Sequence, residues 1–493
     1  MHLRYPQEIV SLVRCRLAWM PALLELGPRT RRTRSLAYQR LRHELCTCLR
    51  VIVPLFFRYL MLCACNRVSL TMLGHYDISP QHIAGALLGR AYSGVTGLSL
   101  GFGIAMGIPP LVSHNHSRGA NDQNGWVLRP CLKAMAGAFG LSTIAATSSG
   151  FVLVALGQPA GVVAPCQLFI TMSLVSLPPA WLSNALGNML VSQGIVQPCL
   201  LIHGFASMLH VLAAFVFMRY CEAKFLGIAL ADIVFSWVEC LMFIAWIIIT
   251  RRQDYVWRCT NPPPRSEVPG WYSIESMSVN TYLWIALPAA IGVWVEWWSA
   301  DFTLIFAGWM PGAEFSIGAQ GLLLNTASLL WVVFSATGSS SAIRVGHLVS
   351  SRDAHGIPVA IEAMVECAAM LSVLCAAAVQ LSGSKIVQLY TTDSRFIHEA
   401  MKANSAMAWS VPPSAIMSCL LGALRAAGLR EYATAVMLAG LCIVGCPLSL
   451  WLGLHYQMDL WGIWMGSVIG LSTATAFMGW RVSCVDWVRT CSS

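Results

Sequence analysis

Residues 281–309 read TYLWIALPAAIGVWVEWWSADFTLIFAGW. The run is mostly apolar, with Glu296 at its middle, Asp301 further on, and no basic residue. A helix that crosses a bilayer needs about 20 mostly apolar residues. Lipid offers backbone N–H and C=O groups no partner, so such a run must close its own hydrogen bonds. An acid at mid-bilayer costs about 2.5–3.5 kcal/mol on insertion scales, which turns it towards a cavity or a partner. The stretch therefore predicts a spanning helix that carries a functional carboxyl group inside the membrane.

The rest of the chain repeats the apolar half of that pattern. Of 493 residues, 57% are hydrophobic and 11% charged, whereas a soluble domain carries about 25% charged residues. So few charges cannot cover a soluble protein of this size. Apolar runs near 50–73, 83–111, 131–156, 164–190, 197–218, 226–250, 281–309, 317–337, 359–383, 403–424, 432–454 and 460–482 predict twelve spans. The expected fold is an all-α integral membrane protein, its twelve transmembrane helices arranged as two six-helix, pseudo-symmetric lobes at 49–250 and 281–482. Between them, 251–280 holds Arg251, Arg252, Arg258 and the run Pro262-Pro263-Pro264-Arg265. Proline and charge together disfavour a helix, so this is a linker.

Charge gives the expected sidedness. Loops on the linker side hold most of the basic residues, among them Arg118, Arg129, Arg344, Arg352, Arg425 and Arg430. The other side holds only Arg219, Lys224, Lys385, Arg395 and Lys402. This is the positive-inside pattern, which places the linker and both termini in the cytoplasm. Much of the formal charge of +9 lies in the tail 1–48, with its run of arginines from Arg4 to Arg42. That concentration reads as a cytoplasmic flank, not a nucleic-acid surface, and the same composition also fits an organelle targeting peptide. The short tail 483–493 ends the chain, and the membrane is a plasma, vacuolar or other organellar one. The 18 cysteines form no CxxC pair, so they read as small apolar packing residues.

The halves resemble each other. The second span carries Gly94, Gly97, Gly101, Gly103 and Gly107 before a polar loop from His114 to Asp122. The eighth ends Thr337-Gly338-Ser339-Ser340-Ser341 and runs into Arg344-Val345-Gly346-His347. Both read as a small-residue helix end followed by a charged turn. Repeated halves with a site between them are a common transporter plan, although small residues also serve close helix packing in membranes.

Four polar residues inside spans are candidates. Glu296 has no base one turn away. An apolar setting favours its neutral carboxyl, and a bound cation favours the carboxylate, so proton and cation compete for one group. Trp297 and Trp298 beside it offer aromatic faces to a cation. Asp301 is rotated about 140° from Glu296 and looks at a different wall. Glu239 lies mid-way along the sixth span, where it is either a second coupling acid or a structural partner of Arg58 or Arg67 of the first span. His210 of the fifth span is a proton carrier or a packing group.

These residues, in this order, resemble the multidrug and toxic compound extrusion (MATE) transporters, most closely the plant-type eukaryotic branch. The likeness runs from about residue 50 to 482. It is carried by Pro54, Gly74-His75, Gly119-Ala120, Gln193-Gly194-Ile195-Val196 with Pro198, and His210. It continues through Pro288 with Glu296-Trp297-Trp298 and Asp301, then Asn325, Arg344-Val345, Leu389-Tyr390-Thr391-Thr392-Asp393 and Gly462-Ile463-Trp464-Met465-Gly466. The resemblance implies a central cleft between the lobes and export of organic cations, drugs or secondary metabolites in exchange for protons. It puts coupling on Glu296, with Asp301 where a second acid follows, and a substrate cleft on Trp297, Trp298, Gln193, Asn325 and His210; Glu239 stands where a neutral residue is usual, so either coupling rests on Glu296 with Glu239, or the substrate range has changed, or transport is degraded. Ser414 and Met417 stand where plant-type members carry an acid and a glutamine, and Ser69 lies near the aspartate of bacterial members.

Two other readings remain. A lipid-linked glycan flippase of the wider superfamily would want a basic cavity, for which Arg58 and Arg67 are available. A multispan membrane enzyme would need a paired histidine near one membrane face, where only His114 and His116 cluster. No catalysis, metal or cofactor is expected; the coupling ion is a proton, with sodium as the alternative, and the partners are the bilayer and a small amphiphile, bound by a monomer.

Overall fold

The structure is a computed structural model. It describes residues 79–221, 223–257 and 278–492, with scattered positions between Leu49 and His75. The tail 1–48, most of the first span with Arg58 and Arg67, and most of the linker lie outside the described residues.

Ten helices among the described residues are long and apolar enough to cross a membrane. They are Pro80–Ser117, Ala160–Ser192, Gln197–Arg219, Leu226–Ile249, Val279–Ala307, Ala313–Ser350, Gly356–Tyr390, Ser394–Ala426, Arg430–His455 and Asp459–Ser483. These are spans two and four to twelve. Span three is a bent pair, Asn121–Thr147 and Ser149–Ala155, turned by 57°. The hydroxyls of Thr147, Ser148 and Ser149 all bond back to carbonyls of the preceding turn, and such back-bonding bends helices.

The helices overrun the apolar windows. Span eight continues through Arg344 and His347 to Ser350, so 338–350 is helix and not the expected charged turn. The turn comes later, where Arg352 takes a φ of 58°. Likewise span two stays helical to Ser117. Hydropathy marks where lipid ends, whereas a helix ends only where capping or backbone chemistry stops it.

Packing differs between the two ends of the bundle. At the end away from the linker, one apolar core draws on both lobes: Leu87, Phe169 and Ile228 meet Leu304, Leu322, Tyr390, Phe396 and Trp464. At the linker end the cores are separate. One gathers Leu111, Leu128, Trp181 and Phe243 of the first lobe; another gathers Val345, Ile361, Leu420 and Met478 of the second. Span seven crosses between them, because its Tyr282 and Ala286 join the first lobe's core while Val295 joins the second's. Apart from span seven, these three cores join the two lobes only at the end away from the linker.

Span seven can lie across span two because of glycines. A Cβ at Gly103 would meet Trp294 Nε1 at 2.6 Å, and one at Gly107 would meet Tyr282 Cζ at 2.9 Å. Gly97 and Gly101 make the same room for Leu177 and Trp181 of span four. The glycine stripe therefore serves two neighbours, one in each lobe.

Candidate functional site

The seam between spans two and seven is the centre of the molecule. Tyr282 donates its hydroxyl to Ile104 O at 2.8 Å, Trp294 Nε1 donates to Ser99 O at 2.8 Å, and Trp298 Nε1 donates to Ser99 Oγ at 3.0 Å. Trp294 and Trp298 stack at 5.5 Å, and Trp297 meets Phe102 edge-on at 5.8 Å. The two tryptophans beside Glu296 are therefore turned to span two and close the seam between the lobes. A cavity of about 270 Å³ opens beside it, lined by Ile104, Trp284, Leu287 and Trp294.

Glu296 points the other way. Its Oε1 accepts from Trp331 Nε1 of span eight at 2.8 Å. The aromatic group that meets this carboxylate is thus Trp331, thirty-five residues away in sequence, and not a flanking residue. Asp301 faces span two, where its Oδ2 lies 3.3 Å from a Cβ built at Gly94. Gly94 opens a π-helical turn, Gly94–Leu98, in that span; such turns are frequent at functional sites because they re-aim the side chains around them. The two acids have no ion-pair partner among the described residues.

The remaining predicted residues lie elsewhere. Gln193 caps the end of span four, with Nε2 donating to Met189 O and to Tyr255 O beyond span six. Asn325 donates to Gly321 O and sits in the shared core, beside Leu87, Tyr390 and Phe396. His210 is fully buried inside the first lobe, with Nδ1 3.3 Å from Ser69 Oγ and Nε2 3.0 Å from Asp232 Oδ1. Glu239 pairs with His203, Oε1 to Nδ1 at 2.7 Å, and accepts from Ser183 Oγ at 2.9 Å. Among the described residues its ion-pair partner is thus a histidine of the adjacent span.

Three charged or ionisable members of this first-lobe network escaped the sequence reading: Arg90, His203 and Asp232. Arg90 NH2 lies 3.3 Å from Asp232 Oδ1. A signal was available. Asp232 and Glu239 are seven apart on span six, and His203 and His210 are seven apart on span five, which puts each pair on one helix face.

Two helical lobes joined at one end, with a helix carrying two carboxyl groups along their boundary, are an architecture that fits a membrane transporter. A family model described as MatE matches residues 54–216 and again 288–451; the chain belongs to this family, and the double match makes the two halves a repeat. Multidrug and toxin extrusion protein 1 of Danio rerio is 22% identical over 460 residues, covering 93% of this chain and 75% of that one. Protein DETOXIFICATION 52 of Arabidopsis thaliana is 22% identical over 437 residues, 88% and 83% of the two chains. Among solved structures, the eukaryotic MATE transporter AtDTX14 superposes with a TM-score of 0.72 at 18% identity, covering 92% of this chain and 98% of its own.

Proposed function

We propose that the protein exports organic cations, drugs or secondary metabolites in exchange for protons, with Glu296 as the exchanging group. The observation that carries this is the pair of carboxyl groups on span seven. Glu296 faces span eight and Asp301 faces span two, neither with a basic counter-ion among the described residues. A proton neutralises Glu296 in apolar surroundings, and an organic cation neutralises it equally well, so each displaces the other. Trp331 contributes both the N–H bonded to Oε1 and an aromatic face for a cation. The names of the relatives, multidrug and toxin extrusion protein and DETOXIFICATION, point to cargo of the same kind.

The direction of access follows from the charge asymmetry. With the linker and both termini cytoplasmic, the end where the lobes keep separate cores faces the cytoplasm and opens there to load cargo for export. The transporter works as a monomer and needs no cofactor beyond its coupling ion. In proteoliposomes, an imposed pH gradient should drive uptake of tetraethylammonium, a sodium gradient alone should not, and Glu296→Gln should abolish the pH-driven flux in folded protein. Full pH-driven transport by Glu296→Gln would overturn the assignment.

A further inference from the structure

Spans five and six are tied by two histidine–carboxylate rungs, His210–Asp232 and His203–Glu239, two helical turns apart. Phe235 stands between them and meets both imidazoles edge-on, at 5.8 Å and 5.4 Å. The rungs differ in charge. Asp232 faces the guanidinium of Arg90, so this rung is an ion pair with His210 and Ser69 as further partners. The other rung has no arginine or lysine within ion-pair distance among the described residues; Arg58 and Arg67 of the first span lie outside them. Span four supplies no charged residue and faces it with Ser183; span five supplies His203; span six itself places the Cys240 thiol next in sequence.

We infer that Glu239, with His203 and Ser183, is a second proton-binding site, inside the first lobe and separate from Glu296. The hydroxyl of Ser183 has one hydrogen and two acceptors in reach, Glu239 Oε2 at 2.9 Å and Ala180 O at 3.0 Å. With Glu239 ionised, Ser183 donates to Oε2 and His203 donates from Nδ1 to Oε1. With Glu239 protonated on Oε2, that proton is donated to Ser183 Oγ, the serine hydrogen turns to Ala180 O, and the His203 bond is unchanged. Both protonation states are fully hydrogen-bonded at the carboxyl with no heavy atom moved. His203 Nε2 is buried with no hydrogen-bond partner among the described residues, whereas both carboxyl oxygens of Glu239 are hydrogen-bonded. The side chains of His203 and Glu239 keep 25% and 12% of their surface open, so the pair is not fully enclosed by protein. Phe235 separates this site from the ion pair beyond it.

On the antiport reading, which this consequence rests on, two sites exchange two protons for one monovalent cation, and one net charge moves per cycle. Infrared pH-difference spectra of the purified protein test the site itself. We expect a protonated-carboxyl band that Glu239→Gln removes and Glu296→Gln keeps. Ser183→Ala, which leaves the carboxyl in place, should move that band without deleting it. Spectra of wild type and Glu239→Gln that superimpose would overturn the proposal, whatever transport shows. Equilibrium accumulation of tetraethylammonium in proteoliposomes tests the consequence. The wild type should accumulate about a hundredfold per pH unit and respond about tenfold to 60 mV of membrane potential. Glu239→Gln should accumulate about tenfold per pH unit with no response to potential. Equal pH dependence in the two would contradict the second proton. Absence of any pH-driven accumulation in the wild type would instead sink the antiport reading, and the infrared result would still decide the site.

Discussion

The joint between the lobes makes a quantitative prediction. At the end away from the linker, Gln158 Nε2 donates to Ile305 O at 3.1 Å and Trp309 Nε1 donates to Leu156 O. Both bonds cross from the first lobe to the second, so both exist only while this end is closed. Gln158 is buried, and the double variant Gln158→Leu, Trp309→Phe keeps volume and apolar contact while removing both donors. Two neutral hydrogen bonds at about 1 kcal/mol each sum to about 2 kcal/mol, a shift of about 30-fold in the closed-to-open ratio at this end. Hydroxyl-radical footprinting reads the shift through side chains buried in the shared core. Oxidation of Tyr390 and Phe396, 3% and 2% exposed here, should rise by about tenfold or more, because the open fraction sets their rate. Tyr282, buried at the other end of the bundle, should show no such rise. Unchanged oxidation of Tyr390 and Phe396 in a folded double variant would refute the idea that these bonds hold the joint.

Three further outcomes follow from the same contacts. Asp232→Asn leaves Arg90 without its counter-ion; with about a third and a quarter of these side chains exposed, the loss should be about 2 kcal/mol, less than for a fully buried pair. It would be read as a lower melting point in detergent that Arg90→Gln on the same chain largely restores. Gly103→Ala drives a methyl into Trp294 Nε1 and should destabilise by about 1–3 kcal/mol, with Trp294→Phe as the relieving second change, measured by the same melting assay. Trp331→Phe keeps an aromatic face but removes the N–H on Glu296, and half-saturation for tetraethylammonium should rise about fivefold, the worth of one net hydrogen bond.

The position of the spans was legible because apolar length is written directly in composition. Helix ends were not. The apolar window of span eight stops near Thr337, but nothing there caps the helix, and it runs on to Ser350. The rotational offset between Glu296 and Asp301 was legible from helical geometry, and the two point to spans eight and two. What each meets was not, because Trp331 and Gly94 come from distant segments. Trp297 and Trp298 read as cleft residues through proximity to Glu296 in sequence, yet a helix turns neighbours to different faces, and these two face span two. His210 read as solitary because its partners, Ser69 and Asp232, belong to other spans. Glu239 read as a second coupling acid or as a partner of Arg58 or Arg67, which lie outside the described residues; among the described residues a histidine of the adjacent helix meets it at 2.7 Å, a partner that pairing by charge alone does not point to.

Antiport here turns on a proton and a cation sharing Glu296, and proton release on cation binding measures that sharing directly. Purified protein in weakly buffered detergent, given tetraethylammonium, should release protons to the medium, and Glu296→Gln, equally folded, should release none. Cation binding of undiminished affinity without proton release in the wild type, or the same release from Glu296→Gln, would contradict it.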